Sequence, residues 1–238
     1  MLHRVSLILF GLAFSLTCIA QQGKTTDQFD GTFSFGKYQG ALSLHYSHLW
    51  KIGKSRKLAI GLGGRITSYR GANQYYITAP AKLTSGSVGP LVIFKENIDG
   101  NIDTLLVKSP HVTMINFTIN IEYEFSSLFT AGFNIDAVGF SFGGKQPANY
   151  INGITGKNTT AKPSNFNALL ISDNDRGSLN SELFAKYKLN EKWNVKAGAQ
   201  FLFTEYTTET EVQQYPESND RFRRKSLLLG LGISYTIK

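Results

Sequence analysis

The densest chemistry in the sequence is His45-Tyr46-Ser47-His48. His45 and Ser47 lie two residues apart, a spacing that puts both on one face of a β-strand. A histidine beside a serine, oriented by a carboxylate, is the arrangement that activates a hydroxyl for acyl transfer. No orienting carboxylate can be picked out from the sequence, so no catalytic residue is assigned. The ordinary reading is a histidine that satisfies a polar network. Beyond the first twenty residues the histidines are His45, His48 and His111. None has a zinc-ligand spacing such as HExxH, and neither a metal nor another cofactor is expected. Gly61-Leu62-Gly63-Gly64 has strand-like sequence on both sides, where a phosphate-binding loop would need a helix, and reads as strand glycines. Glu122, Asp136 and Glu182 could act as acid, base or proton relay, but ion pairing in a packed interior is preferred. Asp103-Thr104-Leu105 has the form of a short Asp-Thr-apolar O-glycosylation pattern, one that three residues often match by chance.

The element that must position much of this is His111–Phe125. Ile115, Phe117, Ile119, Ile121, Tyr123 and Phe125 alternate with Met114, Asn116, Thr118, Asn120, Glu122 and Glu124. That is the period of a strand with one apolar and one polar face, of a length close to the ~9–11 residues a tilted strand needs to cross a bilayer. The same alternation recurs at Phe29–Gly36, Ala41–Trp50, Leu58–Tyr69, Leu128–Phe142, Ser178–Leu189, Trp193–Tyr206 and Ser226–Lys238, which predicts eight strands. In Leu128–Phe142 the apolar set slips phase near Ala137–Gly139, the signature of a bulge. Connections alternate in length. Gly53–Lys57, Ser126-Ser127 and Asn190–Lys192 are short, whereas Gly71–Pro110, Gly143–Arg176 and Thr207–Arg221 are long. The tight turn at Gly36–Gly40 departs from that order. Within the first long connection, two apolar runs around Asp99-Gly100 predict a hairpin over Leu91–Val107. No internal repeat or second-domain linker is visible.

Alternation alone does not separate a membrane barrel from a soluble one with an apolar interior. Two features favour the membrane. Trp50, Tyr123, Phe125, Phe129, Tyr187, Trp193 and Tyr235 all fall on apolar faces near the short turns. Tryptophan and tyrosine prefer the membrane–water boundary, so these residues predict a periplasmic aromatic girdle. Phe203 is the best outer counterpart. The opposite faces carry small and polar residues with charges of both signs: Arg65, Glu122, Asp136, Glu182, Lys186 and Lys196. An eight-stranded barrel has an interior just wide enough for side chains to fill. The expectation is an all-β fold, an eight-stranded antiparallel up-and-down transmembrane β-barrel with an occluded lumen.

Bulk properties agree with this. Aromatic content is 13% and glycine numbers 23, which suits twisted strands. Mean hydropathy is −0.15, excluding a helical membrane protein but not a barrel whose strands are half polar. At the start of the chain, Arg4, the apolar run Val5–Leu16 and Cys18-Ile19-Ala20 form a signal peptide expected to be removed after Ala20. This divides the chain into a signal over 1–20 and one barrel domain over 21–238. Cys18 raises lipidation as an alternative, although Ser15 and Thr17 do not match a lipoprotein signal. The net charge is +8. Arg221, Arg223, Arg224 and Lys225 would attract anionic head groups such as lipopolysaccharide phosphates. Without a basic helix or an aromatic-basic signature, nucleic acid is not an expected partner.

The end of the signal at Ala20-Gln21, the segments Asn134–Gly144 and Ser172–Phe184, and Gln200–Thr208 together resemble the small outer-membrane β-barrel proteins of Bacteroidota. The resemblance covers essentially the whole mature chain. It implies an outer-membrane barrel in a broad family that mostly lacks assigned activities. One departure is the end of the chain, Ile237-Lys238. Barrel proteins commonly end on an aromatic residue read by the insertion machinery, and Tyr235 is the nearest here. The expected function is non-enzymatic: a barrel embedded among lipid and lipopolysaccharide that offers long loops to an unidentified extracellular ligand. Tyr75, Tyr76, Phe94, Arg221 and Arg223 are the expected loop contacts. Two alternatives remain open. Some outer-membrane lipid A deacylases pair histidine and serine as His45 and Ser47 do, which would require both to face lipid. A soluble periplasmic barrel binding an apolar ligand would require the aromatic faces to point inward.

Overall fold

The computed structural model describes residues 25–152, 155–170 and 174–237. The expected signal peptide lies outside them. Eight long strands carry the alternation: β1 (Thr25–Gly36), β2 (Gln39–Ile52), β3 (Leu58–Gly71), β6 (His111–Glu124), β7 (Phe129–Phe142), β11 (Leu179–Lys188), β12 (Trp193–Thr208) and β13 (Arg221–Thr236). Short strands occupy the connections: β4 (Gln74–Thr78), β5 (Thr104–Val107), β8 (Gln146–Asn152), β9 (Thr155–Pro163) and β10 (Phe166–Ala168). A single helical turn, α1 (Ala81–Ser85), precedes two 3-10 segments at Pro90–Phe94 and Asp99–Asn101. No helix among the described residues is long and apolar enough to cross a membrane.

Every strand pairing is antiparallel, and around its outer perimeter the sheet closes through twelve strands, with β10 added against β7. The β12–β13 pairing cuts across that ring. On one side of it the eight long strands pair in chain order, and β13 closes onto β1. On the other side, β13, β4, β5, β8, β9 and β12 form a second, smaller circuit. The eight expected strands are therefore the long ones, and the sheet is larger because its long connections also build strands. The expected hairpin over Leu91–Val107 does not form. Leu91 lies in a 3-10 turn, and Thr104–Val107 pairs with β4 and β8 instead. Thr104 therefore lies inside a sheet, paired with Ile77 and Ile151, rather than on an open loop.

The template strand β6 alternates in burial as it does in sequence, with Met114, Asn116, Thr118, Asn120 and Glu122 buried. Where β6 meets β7, Phe117 pairs with Val138 and Thr118 with Asp136, so Ala137 is the extra residue of a bulge. The phase slip follows from that one residue. Beyond it Val138, Phe140 and Phe142 take the outer face in place of Phe133 and Ile135. Two large lumen positions among the described residues depart from the polar rule, Leu49 on β2 and Phe184 on β11. Phe184 faces inward and is buried, with Lys196 Nζ 4.3 Å and Lys186 Nζ 5.0 Å from its ring centroid. Its ring occupies space that a side chain at Gly132 on the neighbouring strand would need, since a Cβ there would lie 2.4 Å from the ring.

Candidate functional site

The barrel interior has two layers of different chemistry. The lower layer is a column of charges. Arg65 is 1% exposed and donates to Asp136 Oδ1 from both Nε (3.0 Å) and Nη2 (2.5 Å), and to Asn134 Oδ1 at 2.6 Å. Asn116 and the Asn180 amide complete the shell of Asp136 at Oδ2, at 2.6 and 2.9 Å. Lys196 bridges Glu182 at 2.7 Å and Asp30 at 3.1 Å. Lys186 bonds Glu122 at 2.8 Å and Gln28 at 2.5 Å, and lies 3.5 Å from Asp30. All six charges read from the sequence thus point inward and meet one another. Asp30 is the member that sequence reasoning missed, although it occupies a polar-face position of β1 between Gln28 and Thr32. Charges this deep are tolerated only when paired, which is the condition the column meets.

The upper layer is apolar. Tyr69, Val112, Met114, Leu202 and Leu228 from the tops of the long strands pack with Tyr76, Leu105 and Val107 of the connections into one buried cluster. Tyr76 meets Tyr206 edge to face, with centroids 5.1 Å apart, and the Tyr206 hydroxyl donates to the His111 carbonyl at 2.9 Å. On the far side of the same core, Tyr150 donates to Asp103 at 2.6 Å. Burial together with that bond pushes Tyr150 up to about 12. The second circuit thus forms a packed cap on the barrel.

This placement corrects part of the expected contact surface. Tyr75 and Phe94 are exposed, at 54% and 81%, whereas Tyr76 is fully buried because β4 points Gln74, Tyr76 and Thr78 inward. Arg223 is buried too. It donates to Glu205 Oε2 at 2.9 Å and to the Asp175 carbonyl. Arg221 bonds both Glu205 oxygens, at 3.0 and 2.9 Å. The two arginines therefore form a clamp on a buried carboxylate, with Arg223 buried and Arg221 half-buried. Arg224, half-buried, and Lys225, exposed, remain at the surface.

The histidines separate cleanly. His45 and Ser47 face inward and are buried. His45 Nε2 lies 2.9 Å from Thr118 Oγ1, and its Nδ1 is 3.9 Å from Asp30. The carboxylate missing from the sequence reading is therefore Asp30, but it lies inside the barrel, on the inward face of β1. His48 faces outward. Its Nδ1 is 2.7 Å from Asp27 Oδ1, which also accepts from the Tyr46 hydroxyl at 2.7 Å. The sequence alone does not reveal this outer-wall cluster, because Asp27 lies in a polar lead-in to the first alternating run.

The outward faces are apolar over the middle of the long strands. Phe33, Leu42, Phe140, Leu183, Leu229 and Leu231 are each more than half exposed. At the short-turn end the aromatic residues meet in pairs on this face: Tyr123 with Phe125 edge to face at 4.9 Å, and Phe129 with Tyr187 at 5.1 Å and Trp193 with Tyr235 at 4.7 Å at tilted angles. Trp50 packs on His48 at 4.8 Å. Phe203 lies toward the other end, with Lys225 Nζ 5.8 Å from its ring.

No protein-family model and no curated protein matches the chain. Among solved structures, it is similar to the N-terminal β-barrel domain of OprF from Pseudomonas aeruginosa, at 9% identity and a TM-score of 0.35, over 91% of this chain and 100% of that one. It is also similar to the outer membrane protein Ail of Yersinia pestis in a phospholipid bilayer nanodisc, at 9% identity and 0.38, over 91% and 100%. A major outer membrane protein from Thermus thermophilus matches at 11% identity and 0.38, over 90% and 99%. All three likenesses are distant.

Proposed function

We propose that the chain is an integral outer-membrane β-barrel of the small Bacteroidota type, whose eight long strands span the bilayer and whose cap stands at the cell surface. The observation that carries this is the inverted distribution of polarity. A water-soluble fold buries its apolar faces, whereas here Leu229 and Leu231 are 61% and 57% exposed while Arg65, Asp136 and Lys196 are almost fully buried. A continuous belt of large apolar side chains, closed around the circumference, needs a hydrocarbon solvent. A closed barrel also leaves no unpaired backbone in that solvent. The paired aromatics at the short-turn end then form the periplasmic girdle, and lipid and lipopolysaccharide are the surrounding partners. Membrane entry would use the barrel-insertion machinery.

The role is non-enzymatic. Salt bridges and the apolar core above them block the lumen beyond an open mouth of about 440 Å³ at the short-turn end, so the barrel acts as an anchor and not as a solute channel. Binding would fall to the outer surface of the cap, where Tyr75, Phe94 and Tyr215 are exposed. Lipid A deacylation by His45 and Ser47 has no support, since both face the lumen. A soluble apolar-ligand barrel has none either, since the aromatic faces point outward.

Topology is directly testable, because Cys18 is the sequence's single cysteine and falls in the expected signal peptide. Tyr215→Cys in the cap should react with a membrane-impermeant maleimide on intact cells. Glu191→Cys in a short turn should react only after the outer membrane is opened, with the parent chain as blank. The reverse pattern, or labelling of both on intact cells, would overturn the assignment.

A further inference from the structure

On the outward face of β1 the side chains run Asp27, Phe29, Gly31, and beside them on β2 run His48, Tyr46, Leu44. The wall is therefore polar near the short-turn end and apolar four residues further up. A carboxylate on the wall of a membrane barrel is costly unless it lies at the boundary and is paired. Asp27 meets both conditions, through His48 and Tyr46 and beside Trp50. With Nδ1 donating to that carboxylate, the other ring nitrogen, Nε2, lies on the opposite edge of the imidazole. When both ring nitrogens carry a proton, Nε2–H is free to donate to a phosphate oxygen while Nδ1–H stays on Asp27.

Immediately above lies a notch of about 450 Å³. Its walls are Phe29, Leu44, Ile66, Trp193, Ile233 and Tyr235, and Gly31 forms its floor. The floor is open because Gly31 has no side chain, and a Cβ there would come no closer than 3.8 Å to Leu44. The volume falls within the range of small-molecule sites, and the lining is mostly apolar, with Asp30 and His45 bordering it from the inward-facing positions of the same strands. Tyr46 joins the two parts, since its ring borders the notch and its hydroxyl reaches Asp27.

We infer that this stretch of outer wall is a binding site for one phospholipid of the periplasmic leaflet, its phosphate on His48 and one acyl chain in the notch over Gly31. The order of the wall matches the order of the ligand: a charged group at the aromatic boundary, then a hydrocarbon slot directed toward mid-membrane. A diacylglycerol would fill the slot but leave His48 without its anion, and a free phosphate would have no use for the slot. The inference rests on the membrane reading above.

The test uses the full chain extracted from membranes in mild detergent, with dioleoyl phosphatidylethanolamine and dioleoylglycerol added in equal amounts. Native mass spectrometry reads the one-to-one adducts. The wild-type chain should retain the phospholipid about tenfold more than the diacylglycerol. His48→Phe should erase that preference, and Gly31→Leu, which fills the notch, should remove the adduct while the protein still shifts on heated gels. Equal retention of the two lipids by the wild type, or an unchanged adduct in both variants, would overturn the site. A chain absent from the membrane fraction would instead overturn the membrane reading, so the two failures are distinguishable.

Discussion

Arg65→Met is expected to destabilise the folded barrel by about 3–5 kcal/mol, the usual cost of leaving a buried partner charge uncompensated. Arg65 makes three side-chain hydrogen bonds to Asp136 and Asn134, gives a fourth to the Asn180 carbonyl, and lies 3.8 Å from Glu182. Methionine fills similar volume and supplies none of these bonds. Asp136 is then left buried without a counter-charge, whereas Glu182 keeps Lys196 at 2.7 Å. Adding Asp136→Asn removes the stranded charge, so the double variant should recover part of the loss, by about 1 kcal/mol or more. Denaturant unfolding from phospholipid vesicles would measure both. A loss below about 1 kcal/mol for the single variant would mean that the column is solvated and the lumen open.

Leu231→Arg is expected to cost about 2–4 kcal/mol, as charges do on the lipid face of a barrel near the bilayer midplane. Leu231 stands in the middle of the outward run Leu227, Leu229, Leu231, Ile233 and Tyr235 and is 57% exposed. In water, a substitution at so exposed a position would shift stability by no more than about 0.5 kcal/mol. The two solvents therefore predict different results for one variant. A near-neutral Leu231→Arg would remove lipid from the outer face.

The long strands were legible in the sequence because burial there follows a strict period of two, and Glu122 and Tyr123 fall on opposite faces for no other reason. The bulge was legible as well, since the single extra residue Ala137 inverts the apolar parity of everything after it. The cap was not. Its strands are short, and short apolar runs such as Leu91–Phe94 and Thr104–Val107 look alike until their partners are known. The first becomes a 3-10 turn, while the second finds β4 on one edge and β8 on the other, about 30 and 45 residues away in sequence. Tyr76 and Arg223 were read as surface residues because their segments were read as loops. Once those segments pair into sheet, the same alternation that ordered the barrel turns Tyr76 inward, and Glu205 draws Arg223 out of solvent.

At the candidate sites the limit was one of pairing. The lumen charges could be assigned to a face, but matching Lys186 with Glu122 and Lys196 with Asp30 depends on strand register across the closed barrel. Asp27 and His48 show the same limit on the outer wall. They are 21 residues apart and meet only because β1 and β2 pair with those two residues opposite each other.

The most direct measurement is of where the protein resides and how it migrates. Cell membranes are separated, and the outer-membrane fraction is run on SDS gels with and without boiling. The account predicts that the chain is recovered in the outer-membrane fraction and that its mobility shifts on boiling, because a closed, salt-bridged barrel resists detergent until heated. Recovery in the soluble periplasm, with identical mobility before and after heating, would contradict it.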